Sequence, residues 1–133
     1  MADEDASRAG DGFSGLIGVE HMEAPEGEAR GRVAIGEHLL QPYGIVHGGV
    51  YASLAETITS RATWFAVRDE GMVAMGQANA TTFLRPVREG HVTAHAVARQ
   101  RGRTTWVWDV DLTDDAGRTC ALVRMTVAVR PRQ

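Results

Sequence analysis

The stretch QPYGIVHGGVYASLAETITSRAT, Gln41 to Thr63, decides how the rest of the chain is read. An apolar-flanked His-Gly-Gly opens the only substantial helical pattern in the sequence, expected to run from about Gly48 to Val67. Val50, Ala52, Leu54, Ala55, Ile58, Thr59 and Ala62 leave this helix little polar surface, which predicts burial on most sides, as for a helix wrapped by a sheet. The single carboxylate of the stretch, Glu56, is then expensive, because a buried ionised group must be paired, hydrogen-bonded or kept for chemistry.

The glycines at the helix start point to that chemistry. At Gly48 and Gly49 no Cβ covers the backbone N–H groups that lack an intrahelical partner, so they can approach a carbonyl oxygen that turns negative during acyl transfer. Glu56 follows Gly48 by eight residues, about 12 Å along the axis at about 1.5 Å per residue. That exceeds the reach of a glutamate side chain. If both groups act on one acyl carbon, the helix start comes from a second copy of the chain, which predicts a homodimer with its sites at the interface. Ser60, one turn on, shares the face of Glu56 and could orient a water or the carboxylate itself.

Outward from the helix, Pro42 and Gly44 break the chain and leave Gln41 in an ordered loop near the helix start, where it suits a second carbonyl contact. Further upstream, Glu28 to Ile35 is expected as the first strand and Phe13 to Val19 as a short helix or turn. Residues 1 to 12, MADEDASRAGDG, read as a disordered acidic tail.

Downstream, Asp69-Glu70-Gly71 makes a turn and four strand-like segments follow. Val92, Ala94, Ala96 and Ala98 alternate with polar or larger neighbours, as do Trp106, Trp108, Val110 and Leu112, and then Ala121, Val123, Met125, Val127 and Val129. Asp114-Asp115-Ala116-Gly117 has the composition of a hairpin turn. The expected class is α+β, a curled antiparallel sheet wrapped around one long central helix, with residues 13 to 133 as a single domain. Trp106 and Trp108 are expected in the core or at an interface.

Composition sets further bounds. With 44% hydrophobic and 23% charged residues the chain is ordinary for a globular protein, and its net charge of −3 argues against general nucleic-acid binding. The lone Cys120 forms no intrachain disulfide, and neither a leader-like pattern nor an apolar run of bilayer length is present, so the cytoplasm is the expected location. His21, His38, His47, His91 and His95 show no ligand spacing with acidic or cysteine partners, so neither a metal nor a cofactor is expected. Gln77 and Asn79 either line the cleft or only bond within their strand.

QPYGIVHGGVYASLAE, GMVAMGQANATTFLRPV, EGHVTAHAV, TTWVWDVDLTDDAGR and MTVAVRPR together resemble the hotdog-fold thioesterases. The likeness covers most of residues 30 to 132 and is closest to the 4-hydroxybenzoyl-CoA thioesterases that use a glutamate on the central helix. It implies hydrolysis of an acyl-CoA, an aromatic one such as 4-hydroxybenzoyl-CoA, with Glu56 as nucleophile or general base and the Gly48 N–H polarising the carbonyl. Gln41 and His47 support that site by the same likeness, and Ser60 stands where relatives typically carry threonine. Gly49 is expected to touch the substrate, and Arg85, Arg103 and Thr104 to lie along the CoA. Relatives tend to have a small hydroxyl residue where Arg103 stands. Arg101, Arg130 and Arg132 are further candidates for the CoA phosphates. The resemblance also implies a homotetramer, a dimer of dimers. The alternative is a non-catalytic acyl-CoA-binding or sensing protein on the same fold. A hotdog hydratase would need an Asp/His arrangement that this sequence lacks.

Overall fold

The computed structural model describes residues 12–133. The acidic tail expected over residues 1 to 12 lies, apart from Gly12, outside them. A short helix α1 (Phe13–Ile17) leads into β1 (Val19–Met22) and β2 (Glu28–Ala34), then comes the long helix α2 (Gly48–Val67). Four strands follow: β3 (Met72–Phe83), β4 (His91–Arg101), β5 (Thr105–Thr113) and β6 (Thr119–Pro131). They form one sheet in the order β1-β2-β4-β5-β6-β3, with antiparallel pairing throughout.

The period-two alternation explains how the helix is held. Val92, Ala94 and Ala96 of β4, Trp108, Val110 and Leu112 of β5, and Val123, Met125 and Val127 of β6 all turn inward and are buried. Leu54, Ala55, Ile58 and Thr59 of α2 share that core. Small side chains on β4 leave the room the helix occupies. At β2 the approach is closer still: a Cβ on Gly31 would come within 2.7 Å of Ile58 Cγ2. Near the far end of α2 the indole N–H of Trp108 donates to Thr63 Oγ1 at 3.0 Å, so the core's largest polar donor is satisfied by the helix. This curled sheet around one long helix is the hotdog fold.

Two expectations need correction. The first strand is Val19–Met22, paired with Val33 to Arg30, so Glu28 to Ala34 is the second strand and Val19 belongs to a strand rather than to the short helix or turn before it. Four residues with no apolar alternation carry no strand signal of their own, and the pairing comes from β2. The helix is also less enclosed than its composition suggests. The sheet does not close over the whole of α2: Glu56 is exposed on the face it shares with Ala52, Ser53 and Thr57, and Arg61 and Phe65 are exposed elsewhere around the helix. Among the described residues no helix is long and apolar enough to cross a membrane.

Candidate active site

The open side of α2 carries the candidate site. His47 is the N-cap of α2, and its ring Nδ1 accepts the Gly49 N–H at 2.9 Å, while its carbonyl accepts from Val50 N–H. The imidazole therefore acts as a cap, and the Gly49 N–H is engaged within the chain. The Gly48 N–H has no partner among the described residues, so it is the donor left at the positive end of the helix.

Gly48 is glycine for a second reason, which no spacing rule reveals. A Cβ there would lie 2.7 Å from Cζ of Phe83, whose ring stands over the helix start and also meets Tyr51 at a centroid distance of 6.0 Å. Phe83 remains 58% exposed, so the other side of its ring is free to face a ligand or a partner. Gln41 sits in the loop before the helix, closed by Gln41 N–H to the Ile45 carbonyl and by the bridge of Leu40 with Val46. Its Oε1 accepts the Tyr43 N–H at 2.7 Å.

Two turns along the helix, Glu56 projects into an open cavity of about 430 Å³. Ala52, Ser53 and Thr57 form its floor with Glu56, Phe13 of α1 closes one side, and Asn79 and Thr81 of β3 form the opposite wall. Glu56 is thus solvent-exposed in the single chain, contrary to the burial expected from its apolar sequence neighbours. The signal that could have shown this is the stripe of small and polar residues at 52, 53, 56, 57 and 60, which marks one helix face. Across the cavity, a Cβ on Gly76 would lie 3.0 Å from Glu56 Cδ, so the carboxylate rests against bare backbone. The ladder slips between Gly76 and Ala78, which leaves Gln77 as the extra residue of a β-bulge. Asn79 does more than bond within its strand: its Nδ2 donates to the Ala52 carbonyl at 2.9 Å. One turn beyond Glu56, the Ser60 Oγ is shielded from solvent and has no hydrogen-bond partner among the described residues.

The candidate CoA contacts do not gather in one chain. Arg85 follows β3, whose last residue Phe83 pairs with Ala121 near the start of β6. Arg103 and Thr104 precede β5, whose first residue Thr105 pairs with Ala128 near the end of β6. Seven residues of β6 separate the two levels, on the order of 23 Å at roughly 3.3 Å per residue. Arg85 and Arg103 are both exposed. The Thr104 carbonyl accepts from Arg130 Nη1 at 2.7 Å, which engages that guanidinium, and Arg101 lies 3.6 Å from Glu26.

A helix start with a free N–H, an exposed carboxylate two turns on and an open cavity beside it form the kind of site that acyl transfer uses. Comparison with known proteins agrees. Residues 43–121, more than half of the chain, match the family model described as the Thioesterase superfamily. The proofreading thioesterase EntH of Klebsiella pneumoniae is 31% identical over 113 residues, covering 85% of this chain and 82% of that protein. Thioesterase PA1618 of Pseudomonas aeruginosa, solved as a glutamine-to-alanine mutant, superposes with a TM-score of 0.89 at 31% identity, covering 98% of this chain and 93% of that one. Thioesterase HI1161 of Haemophilus influenzae gives a TM-score of 0.89 at 30% identity, with 98% and 91% covered. The chain belongs to the thioesterase superfamily and is a thioester hydrolase.

Proposed function

We propose that the substrate is an aromatic acyl-CoA, with 4-hydroxybenzoyl-CoA the leading candidate, and that Glu56 is the reacting carboxylate. By one route a Glu56 oxygen attacks the thioester carbonyl, CoA leaves as the thiolate and takes a proton from water, and a second water hydrolyses the mixed anhydride to the acid. By the other, Glu56 takes a proton from a water that attacks the carbonyl directly, the C–S bond breaks, and CoA leaves with that proton as the thiol. In both, the Gly48 N–H of a second copy of the chain stabilises the oxyanion. The aromatic assignment is supported by the likeness to the 4-hydroxybenzoyl-CoA thioesterases across most of residues 30 to 132.

The observation that carries this reading is the position of Glu56: it faces a cavity walled by β3, and β3 is the terminal strand of the sheet, exposed from Met75 to Ala80. A site open along a free strand edge is completed most simply by a second chain laid beside that edge, which also hides a long exposed edge strand. The same two-chain arrangement would bring the Arg85 end of one copy toward the Arg103 and Thr104 end of the other, if the two edge strands run antiparallel. A dimer of such dimers is the assembly we infer from the family likeness.

Thiol release from a panel of acyl-CoAs, including 4-hydroxybenzoyl-CoA, tests the proposal. The native chain should release thiol fastest from an aromatic ester, and Glu56→Ala should lower the rate at least about a hundredfold. Binding of the esters without thiol release by the native chain would sink it in favour of a sensing role.

A further inference from the structure

We propose that Asn79 is a positioning residue for Glu56: its side-chain amide fixes the distance between strand β3 and the helix turn that carries the carboxylate. The inference rests on the reading of Glu56 as the reacting group.

Where β3 passes Glu56 it lies against the helix but buries little apolar surface. Every residue from Met75 to Ala80 is exposed, and the strand has only β6 as a neighbour. Apolar burial therefore does not set the spacing of strand and helix at this level. The Asn79 Nδ2 bond to the Ala52 carbonyl does, at 2.9 Å. Ala52 precedes Glu56 by four residues, so its carbonyl is the one that the Glu56 N–H bonds in a regular helix. One acceptor thus joins the strand and the backbone of the reacting residue.

The amide has only one orientation that works. Thr81 Oγ1 donates to Asn79 Oδ1 at 2.6 Å, which holds the oxygen away from the helix and turns the NH2 toward Ala52. A flipped amide would set two acceptors, Oδ1 and the Ala52 carbonyl, against each other. On the same strand, the bare backbone at Gly76 forms the seat on which the Glu56 carboxyl rests. Tether and seat are three residues apart on one strand, with the bulge at Gln77 between them. Loss of the tether lets the seat drift relative to the helix, and displacements of about 1 Å can cost on the order of a hundredfold in rate.

The test compares Asn79→Ala, Asn79→Asp, Thr81→Val and Glu56→Gln with the native chain, using the best acyl-CoA found and following kcat, KM, thermal midpoint and oligomeric state. Asn79→Ala should lower kcat about tenfold or more with KM within about threefold. Thr81→Val, which keeps the amide but frees it to turn, should lower kcat less and in the same sense. Among the described residues Glu56 is the one charged side chain lining the cavity. Asn79→Asp removes the donor and sets a second carboxylate beside it, and should lower kcat at least as far as Asn79→Ala. A lowered thermal midpoint with kcat unchanged would overturn the inference and leave Asn79 a purely structural residue. Full activity in Glu56→Gln would instead remove the reading on which it rests, whatever Asn79 does. If Asn79→Ala fails to fold, Thr81→Val decides: native kcat in that variant overturns the inference.

Discussion

Gly48 shows how one residue can answer two demands. Its N–H has no partner among the described residues, and the space where a side chain would begin is filled by the Phe83 ring, 2.7 Å from the position a Cβ would take. Gly48→Ala should therefore fail through collision rather than through loss of the N–H, which alanine retains. The double variant with Phe83→Ala removes the obstacle. We expect Gly48→Ala alone to cut kcat/KM by about tenfold to a hundredfold, and the addition of Phe83→Ala to recover part of that loss, a coupling that a double-mutant cycle measures. Independent, additive losses would show that the ring and the glycine do not share this space. Sequence made Gly48, His47 and Glu56 visible because each belongs to a spacing rule for helix starts or faces. Phe83 follows no such rule, since its approach to Gly48 depends on how β3 crosses the helix.

At the scale of elements, helix α2 is fastened to the sheet at a few identifiable points. Thr63, buried on α2, accepts the Trp108 indole N–H, and its own hydroxyl donates to the Thr59 carbonyl at 2.8 Å. Thr63→Val keeps the volume and removes both bonds, leaving a buried indole donor without an acceptor. The expected cost is about 1–3 kcal/mol in denaturant unfolding, with Trp108→Phe in the same background recovering part of it because the stranded donor is gone. An unchanged midpoint in Thr63→Val would mean that the indole finds another acceptor. The bounds of α2 were legible because glycine opens it and the apolar period carries it through to Val67. Strands β4, β5 and β6 were legible from strict alternation. Strand β1 was not, since VEHM has no apolar face to declare, and neither was the bulge in β3, which only the ladder with β6 defines. Asn79 stood between two readings for the same reason: whether a strand amide reaches a helix depends on tertiary distance.

For the whole molecule, charge sets the response to acid. His21 is partly buried, and that burial, with the nearby Arg61 charge, lowers its pKa below the ordinary 6.5. The unfolded chain therefore takes up this proton before the folded one does, so stability falls as pH drops through 6.5 toward the folded value. Asp109 on the outer face is held below its ordinary 3.8 by the Arg124 hydrogen bond and then by Arg99, and Asp114 by the backbone N–H of Arg118. Their contributions are present above that ordinary value and lost as pH falls through the lower folded values. Stability should thus decline in two stages on acidification, and His21→Gln should abolish the upper stage alone in denaturant midpoints measured from pH 8 down to about 3. Persistence of the upper stage in that variant would assign it to other groups.

The chain's only cysteine has a practical consequence. Cys120 is wholly buried, donates its S–H to the Leu112 carbonyl at 3.2 Å, and is pushed by burial up to a pKa of about 11. Disulfide reagents react with thiolates, so at neutral pH they find almost nothing to attack in the folded protein. A chromogenic disulfide added to a reaction mixture will count liberated CoA without a background from the catalyst. In the absence of substrate, slow colour development reports how often the molecule comes apart.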